Sequence, residues 1–219
     1  MTAAFDLDGI RKRLAAMVPR TIADDAMARA AVLVPLCTRA GEPAILFTKR
    51  TETVGTHKGQ VSFPGGRMDP GDKDDVACAL RELEEELGIP ARDVDVLGLF
   101  HEMPSITNMR VRPVIGFVGE RADPSSMTPS PAEIDAVFAL TLDELTGRRE
   151  VRPLPLGRQF ALQTPIPGVG GLASPMPAAR SGHRGPWYTA GPHPVWGLTA
   201  FILEEVLRDV LGLDVPPLD

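Results

Sequence analysis

Cysteine is scarce in this chain: Cys37 and Cys78 are the only two among 219 residues. That excludes a disulfide-stapled scaffold, and neither thiol has metal-site spacing. Cys37 ends an apolar run and Cys78 sits in a helix-forming stretch, so both read as buried thiols. His101, His183 and His193 are likewise scattered without ligand spacing. Positive charge is in deficit, with 23 Lys and Arg against 29 Asp and Glu and a net charge of −6. A chain without a basic footprint is not expected to bind nucleic acid nonspecifically. No apolar run approaches the roughly 20 residues that span a bilayer. Residues 1–6 lack the basic-then-apolar pattern of a secretory signal, and Pro217-Leu218-Asp219 is not a peroxisomal address. The cytoplasm is the expected location. No internal repeat and no compositional boundary divides the chain, so a single domain over 1–219 is expected.

Hydrophobic periodicity lays out the elements. Phe5, Leu7, Ile10, Leu14 and Met17 mark an amphipathic helix over 5–19. Strands are predicted at 30–37 and 43–48, joined by the turn-forming Arg39-Ala40-Gly41-Glu42. A short strand follows at 60–63, then a helix over 73–87. Further strands are expected at 94–101, 111–119 and 133–140, and a short helix from 142. The loop over 102–110 carries polar residues able to face a substrate, and 125–131 reads as a Pro/Ser loop. From 151 to 194 the chain is crowded with Pro and Gly, as in Pro165-Ile166-Pro167-Gly168. That composition forbids a long helix and leaves room for short strands at 159–162 and 187–189. An apolar-rich helix closes the chain over about 194–213. Strands interspersed with a few helices predict a mixed sheet between helices.

The chemistry concentrates between Gly65 and Ile89. Arg81-Glu82-Leu83-Glu84-Glu85-Glu86-Leu87-Gly88-Ile89 follows Phe63-Pro64-Gly65-Gly66 after a short acidic loop. On a helix, Glu82, Glu85 and Glu86 fall at i, i+3 and i+4 and share a face. Acidic runs on helices are commonly solvated faces. Here Val76, Leu80, Leu83 and Leu87 form an apolar stripe, so the helix is expected to pack on one side and present carboxylates on the other. Like charges at that spacing repel, and hard divalent cations seek such oxygens. Gly88 ends the helix and Pro90 prevents its return.

This stretch resembles the Nudix box, Gly-x5-Glu-x7-Arg-Glu-hydrophobic-x-Glu-Glu-x-Gly-hydrophobic. Arg81, Glu82, Leu83, Glu85, Glu86, Gly88 and Ile89 fit its second half. In the first half, counting from Gly66, Asp72 stands in the Glu position, and eight residues rather than seven separate it from Arg81. Asp72 either fills that role or caps the helix. Upstream, Leu46-Phe47-Thr48-Lys49-Arg50 and His57-Lys58-Gly59-Gln60-Val61-Ser62-Phe63-Pro64-Gly65-Gly66-Arg67-Met68-Asp69 are similar to the signature of the coenzyme A diphosphatase branch. Val54-Gly55 departs from the Leu-Arg usual there. Trp196-Gly197-x-Thr199-Ala200 resembles the segment opening that branch's last helix. The likeness covers about 28–145 plus the final helix near 195–213.

The resemblance implies an α/β/α sandwich with a mixed β-sheet, a class of α/β (α+β) fold, and a hydrolase needing Mg²⁺ or Mn²⁺. It implies Glu82 and Glu86 as main metal ligands, Glu85 as holder of a second metal or orienter of water, and a Gly66 carbonyl on the metal. Arg81 pairs with Glu85 along the helix or contacts substrate. Lys49, Arg50 and Lys58 are candidate phosphate clamps, because guanidinium and ammonium groups suit those oxygens. His57 either orders its loop or joins the substrate site. Glu133, in Pro131-Ala132-Glu133-Ile134, is a candidate distant base or extra ligand.

The implied reaction is hydrolysis of the diphosphate of coenzyme A or an acyl derivative, giving 3′,5′-ADP and 4′-phosphopantetheine. The alternatives are another nucleoside diphosphate linked to X, such as ADP-ribose or a dinucleotide, and a module that senses a nucleotide without cleaving it. A small nucleotide is the expected partner, with no nucleic acid or membrane. The apolar faces of the terminal helices leave room for a homodimer.

Overall fold

The computed structural model describes residues 4–52, 59–119, 123–124, 127–155 and 184–215. In chain order the elements are α1 (Leu7–Ala16), β1 (Ala28–Arg39), β2 (Glu42–Arg50), β3 (Val61–Ser62), β4 (Gly65–Arg67), α2 (Asp75–Leu87), β5 (Asp95–Leu99), β6 (Met103–Pro104), β7 (Met109–Gly119), β8 (Ile134–Thr141), α3 (Leu142–Gly147), β9 (Arg149–Pro153), β10 (Arg184–Tyr188) and α4 (Gly197–Glu205). α4 continues into a π-helical turn, Val206–Val210.

β1 is the axis of the main sheet. β7 runs parallel along one edge of it, from Ala28 opposite Met109 to Cys37 opposite Gly119. The other edge is shared by antiparallel partners, β4 against Ala30, Ala31 and Val32, and β2 against residues 36–39. β2 carries β8 on its far edge and β3 beyond the end of β1. β5 and β6 pair antiparallel with β7. The β1–β2 turn places Ala40 and Gly41 at φ of 52° and 83°, the paired left-handed conformation that matches strand twist in a tight hairpin.

A strand repeats its facing every second residue, and the core follows that period. Ala31, Leu33 and Cys37 of β1, Ala44 and Leu46 of β2 and Val114 of β7 face α2, where they meet Cys78, Ala79, Leu83 and Leu87. Val34, Leu36, Ile45, Phe47 and Ile115 face the other way, onto Ile10 and Leu14 of α1 and onto Phe201, Ile202 and Leu203 of α4. The sheet is therefore sandwiched between α2 and the two terminal helices, as expected. The terminal helices' apolar faces, on which the homodimer expectation rested, are turned into this chain's own core.

Three strands, β4, β6 and β9, escape sequence reading, while β10 overlaps the short strand expected at 187–189. β4 is a Gly-Gly-Arg segment recruited by β1, and β6 is short and ends in Pro104. β9 and β10 bracket the Pro/Gly segment as an antiparallel pair, Arg149 opposite Tyr188. The strand expected at 159–162 lies outside the described residues. The closing helix starts at Gly197, after Tyr188 and Val195 exchange two backbone hydrogen bonds.

Buried polar side chains tie the 20–22 segment to the sheet. Arg112 meets the Glu102 carboxylate at 3.0 Å and donates to the carbonyls of Phe100 and Arg20. Glu102 also accepts from the Ile22 amide. His101 is buried, and its Nδ1 accepts from the Arg20 amide at 3.0 Å. Burial, with help from the Arg20 and Arg112 charges, pushes the His101 imidazole down to about 4. The unfolded chain takes up that proton near pH 6.5, so it binds more protons than the folded one between about 6.5 and 4, and stability falls as the pH drops through that window. Urea unfolding at pH 7 and pH 5 is expected to show wild type losing on the order of 1 kcal/mol more than His101→Gln, which keeps an acceptor but cannot titrate. Equal losses in the two proteins would show that His101 is not held neutral.

Candidate active site

α2 is fixed at both ends by its own sequence. The Asp74 carboxylate accepts from the Ala77 amide at 2.8 Å and caps the N-terminus. Gly88 adopts a left-handed φ of 70°, and its amide returns to the Glu84 carbonyl, the conformation only glycine takes without strain. Ala79, Leu83 and Leu87 pack on the sheet. One expectation needs correction: Glu86 does not project away from the packed face but is buried beside it, 2% exposed. A carboxylate at i+3 from Leu83 lies at the border of the stripe, and the β2 and β4 side of the sheet closes over it.

Asp72 does not cap the helix. Its two carboxylate oxygens accept from Arg81 Nε and Nη2, each at 3.0 Å. The bond with Arg81 holds the Asp72 carboxyl down at about 2, and the Asp69 amide adds to the effect. Arg81 also donates through Nη1 to Glu82 and to Glu85, both at 2.9 Å, and through Nη2 to the Arg67 carbonyl. This guanidinium thus ties the loop after β4 to the acidic face of α2. Such a planar, multi-donor bracket is what Arg supplies and Lys cannot.

Glu86, Glu82, Arg50 and Glu133 come together from three elements. Arg50 Nη1 lies 3.4 Å from Glu86 Oε1, and its Nη2 lies 3.7 Å from Glu133. Glu86 Oε2 is buried with no hydrogen-bond partner. Burial pushes the Glu86 carboxyl up to about 8, against the pull of Arg50 and with the push of Glu82 and Glu133. Burial also raises Glu82. Gly65 and Gly66 make this approach possible. A Cβ on Gly65, at φ 154°, would strike the β1 backbone, and one on Gly66 would strike the Glu82 carboxylate.

Arg50, Gly65, Gly66, Glu82 and Glu133 line a cavity of about 830 Å³, and Glu86 lies buried behind them. Its lining combines Glu82, Glu133, Arg50 and Gly66 with Phe63, Ile106, Leu198 and Trp196. Among the described residues, no three His, Cys, Asp or Glu groups converge tightly enough to cage a metal as they stand. The reason is visible: Arg81 holds Glu82 and Glu85, and Arg50 leans on Glu86. The chemistry of the donor set nonetheless suits a hard cation. Two carboxylates one helical turn apart, one with an orphaned buried oxygen, are short of positive charge.

The other expected residues divide. Glu85 is tied to Arg81, largely exposed, and outside the cavity lining. Glu84 is exposed. Lys49 pairs with Asp135 and does not line the cavity, because it precedes Arg50 by one on β2, where an irregularity in the β8 pairing falls between the two. His57 and Lys58 lie outside the described residues. Sequence reasoning assigned no role to Ser105, Thr107 or Trp196, all on the cavity wall. The polarity of the 102–110 loop pointed toward the first two. A rare tryptophan just before a helix-opening glycine was the available signal for the third.

Residues 27–159 match the NUDIX domain model. The mitochondrial coenzyme A diphosphatase NUDT8 of Homo sapiens is 42% identical over 185 residues, 83% of this chain and 69% of that protein. Its Mus musculus counterpart is 39% identical over 83% of this chain and 77% of its own length. An uncharacterized Nudix hydrolase, NudL, of Cronobacter sakazakii is 35% identical over 83% of this chain and 82% of its own. The box read in α2, the glycine loop that admits its carboxylates and the extent of these matches agree, and the chain belongs to the Nudix family as a Nudix hydrolase.

Proposed function

We propose that the chain hydrolyses the diphosphate of coenzyme A or an acyl-coenzyme A in a divalent-metal-dependent reaction, releasing 3′,5′-ADP and (acyl-)4′-phosphopantetheine. The observation that carries this reading is one cavity lined both by the charged Glu82, Arg50 and Glu133 and by the apolar and aromatic Phe63, Leu198 and Trp196. A substrate with a central diphosphate and long arms fits that lining. The names of the human and mouse relatives support the same substrate. Cytoplasmic action belongs to this proposal, and no helix among the described residues is long and apolar enough to cross a membrane.

Glu82 and Glu86 would hold Mg²⁺ or Mn²⁺, with the Gly66 carbonyl beside them and Glu85 at the rim. The cation would supply charge neutralisation at the diphosphate oxygens. Arg50 sits between Glu86 and Glu133 and can pass its donors to a phosphate oxygen. Glu133 lines the cavity with half its side chain exposed, and in this reading it would accept a proton from the attacking water. Arg81 positions Glu82 from behind and does not line the cavity. Val54-Gly55, where the branch has Leu-Arg, favours a second reading, cleavage of ADP-ribose or a dinucleotide. The retained carboxylates weigh against a purely sensing module.

Mass-spectrometric product analysis with coenzyme A and ADP-ribose, in Mg²⁺, Mn²⁺ or EDTA, separates these readings. Metal-dependent release of 3′,5′-ADP and 4′-phosphopantetheine, faster than ADP-ribose cleavage, is expected; faster ADP-ribose cleavage would transfer the substrate assignment. Glu86→Gln is expected to lower turnover by about a hundredfold or more, as loss of a charge that serves the transition state does, while thermal stability holds or rises because the amide replaces a carboxyl whose ionisation burial already opposes. Turnover within a few fold of wild type would remove Glu86 from the metal site. Asp72→Asn removes a countercharge and one of the two oxygens that Asp72 offers Arg81, and is expected to cost about 1–3 kcal/mol of stability, together with roughly tenfold in kcat/KM from a loosened Glu82. An unchanged melting temperature and rate would show that the bracket is decorative.

A further inference from the structure

The chain has two tryptophans, one on the cavity wall and the other stacked against it. Trp187 and Trp196 stack with ring centroids 5.4 Å apart and planes inclined by 14°. Trp196 lines the cavity and Trp187 does not, so Trp187 lies behind its neighbour. The pair is held firmly. Trp187 is on β10, opposite Glu150 of β9, and the Arg152 guanidinium lies 5.9 Å over its ring. Trp196 follows Val195, which is pinned by two backbone hydrogen bonds to Tyr188. Just beyond, Thr199 donates its hydroxyl to the Val61 carbonyl at 3.1 Å. Val61 begins the run that leads through Phe63 to Gly65 and Gly66, so the indole pair and the glycine loop share one frame.

Taking the coenzyme A reading as its basis, we propose that Trp196 is the platform on which the adenine ring of the substrate stacks, with Trp187 as its fixed backing. A pre-stacked indole extends naturally to a third planar π-system, and base–aromatic stacking is a large, geometry-tolerant contribution. A flexible pantetheine arm, with its amides and branched methyls, has no plane to offer. The assignment orients the substrate: the nucleotide half lies toward β10 and α4, the diphosphate lies against Glu82 and Arg50, and the pantetheine leaves by the remaining opening. It also gives the C-terminal part of the chain, which follows the segment matched by the family model, a direct part in recognition.

Because both tryptophans are at this site, intrinsic fluorescence reports on it. The protein is titrated with 3′,5′-ADP and, separately, with 4′-phosphopantetheine, as wild type, Trp187→Phe and Trp196→Phe. The expected result is that 3′,5′-ADP quenches the wild type and Trp187→Phe, where Trp196 is the sole reporter, while 4′-phosphopantetheine quenches neither. The Trp196→Phe protein loses most of the signal. Coenzyme A kinetics then compare Trp196→Leu with Trp196→Phe. The leucine variant is expected to raise KM about tenfold to a hundredfold, the range stacking commands, with kcat within a few fold, and the phenylalanine variant to recover most of the loss. Quenching by 4′-phosphopantetheine instead of 3′,5′-ADP, or an unchanged KM in a folded Trp196→Leu protein, would overturn the proposal. If wild type fails to cleave coenzyme A, the substrate reading falls, while quenching by 3′,5′-ADP in Trp187→Phe still establishes the platform and its absence still refutes it.

Discussion

Burying a carboxylate next to another carboxylate is the constraint on which this site turns. Glu86 is sealed from water, its Oε2 is orphaned, and Glu82 stands one helical turn away. Charge in such a place is unfavourable unless countercharge is supplied. Arg50 comes from β2 and meets Glu86 at 3.4 Å, while Arg81 clasps Glu82 from α2 itself. Both guanidinium groups also reach a further acid, Glu133 or Asp72. The result is an acidic helix face that can fold without a cation and still retain an unmet need for one.

The scaffold serves that constraint. β1 accepts the Gly65-Gly66 segment as a strand partner, bringing a backbone without side chains to the foot of Glu82. The irregular pairing of β2 with β8 between Lys49 and Arg50 falls where the chain must deliver Arg50 to the site and Lys49 to Asp135. The cavity above is completed by the end of β9 and the start of α4, so the charged floor comes from the central part of the chain and much of the apolar wall from its last third.

The sheet's central strands and α2 were legible because their signals are strong: apolar runs in β1, β2 and β7, buried on both faces of the sheet, and an apolar helical stripe closed by Gly88. β4 and β9 were not, because tertiary pairing rather than propensity makes Gly-Gly-Arg and a Pro-ended segment extended. Within the site, the carboxylate spacing was readable, but the burial of Glu86 was not, since helical periodicity gives a direction and not what covers it. Asp72 shows the same limit. Its displacement by one residue left two roles open, and only the fold shows that Asp74 takes the cap and leaves Asp72 to Arg81. Lys49 and Arg50, adjacent in sequence and alike in charge, are told apart in the structure by their partners, Asp135 for the one and Glu86 with Glu133 for the other.

The central claim is that Glu82 and Glu86 form a cation site kept open by arginine brackets. Calorimetric titration of the purified protein with Mn²⁺, for wild type and Glu86→Gln at neutral pH, tests it most directly. The account predicts saturable binding to wild type, weakened at least tenfold by the substitution, with both proteins equally folded by circular dichroism. Equal affinity in the two proteins, or no saturable binding to wild type, would contradict it.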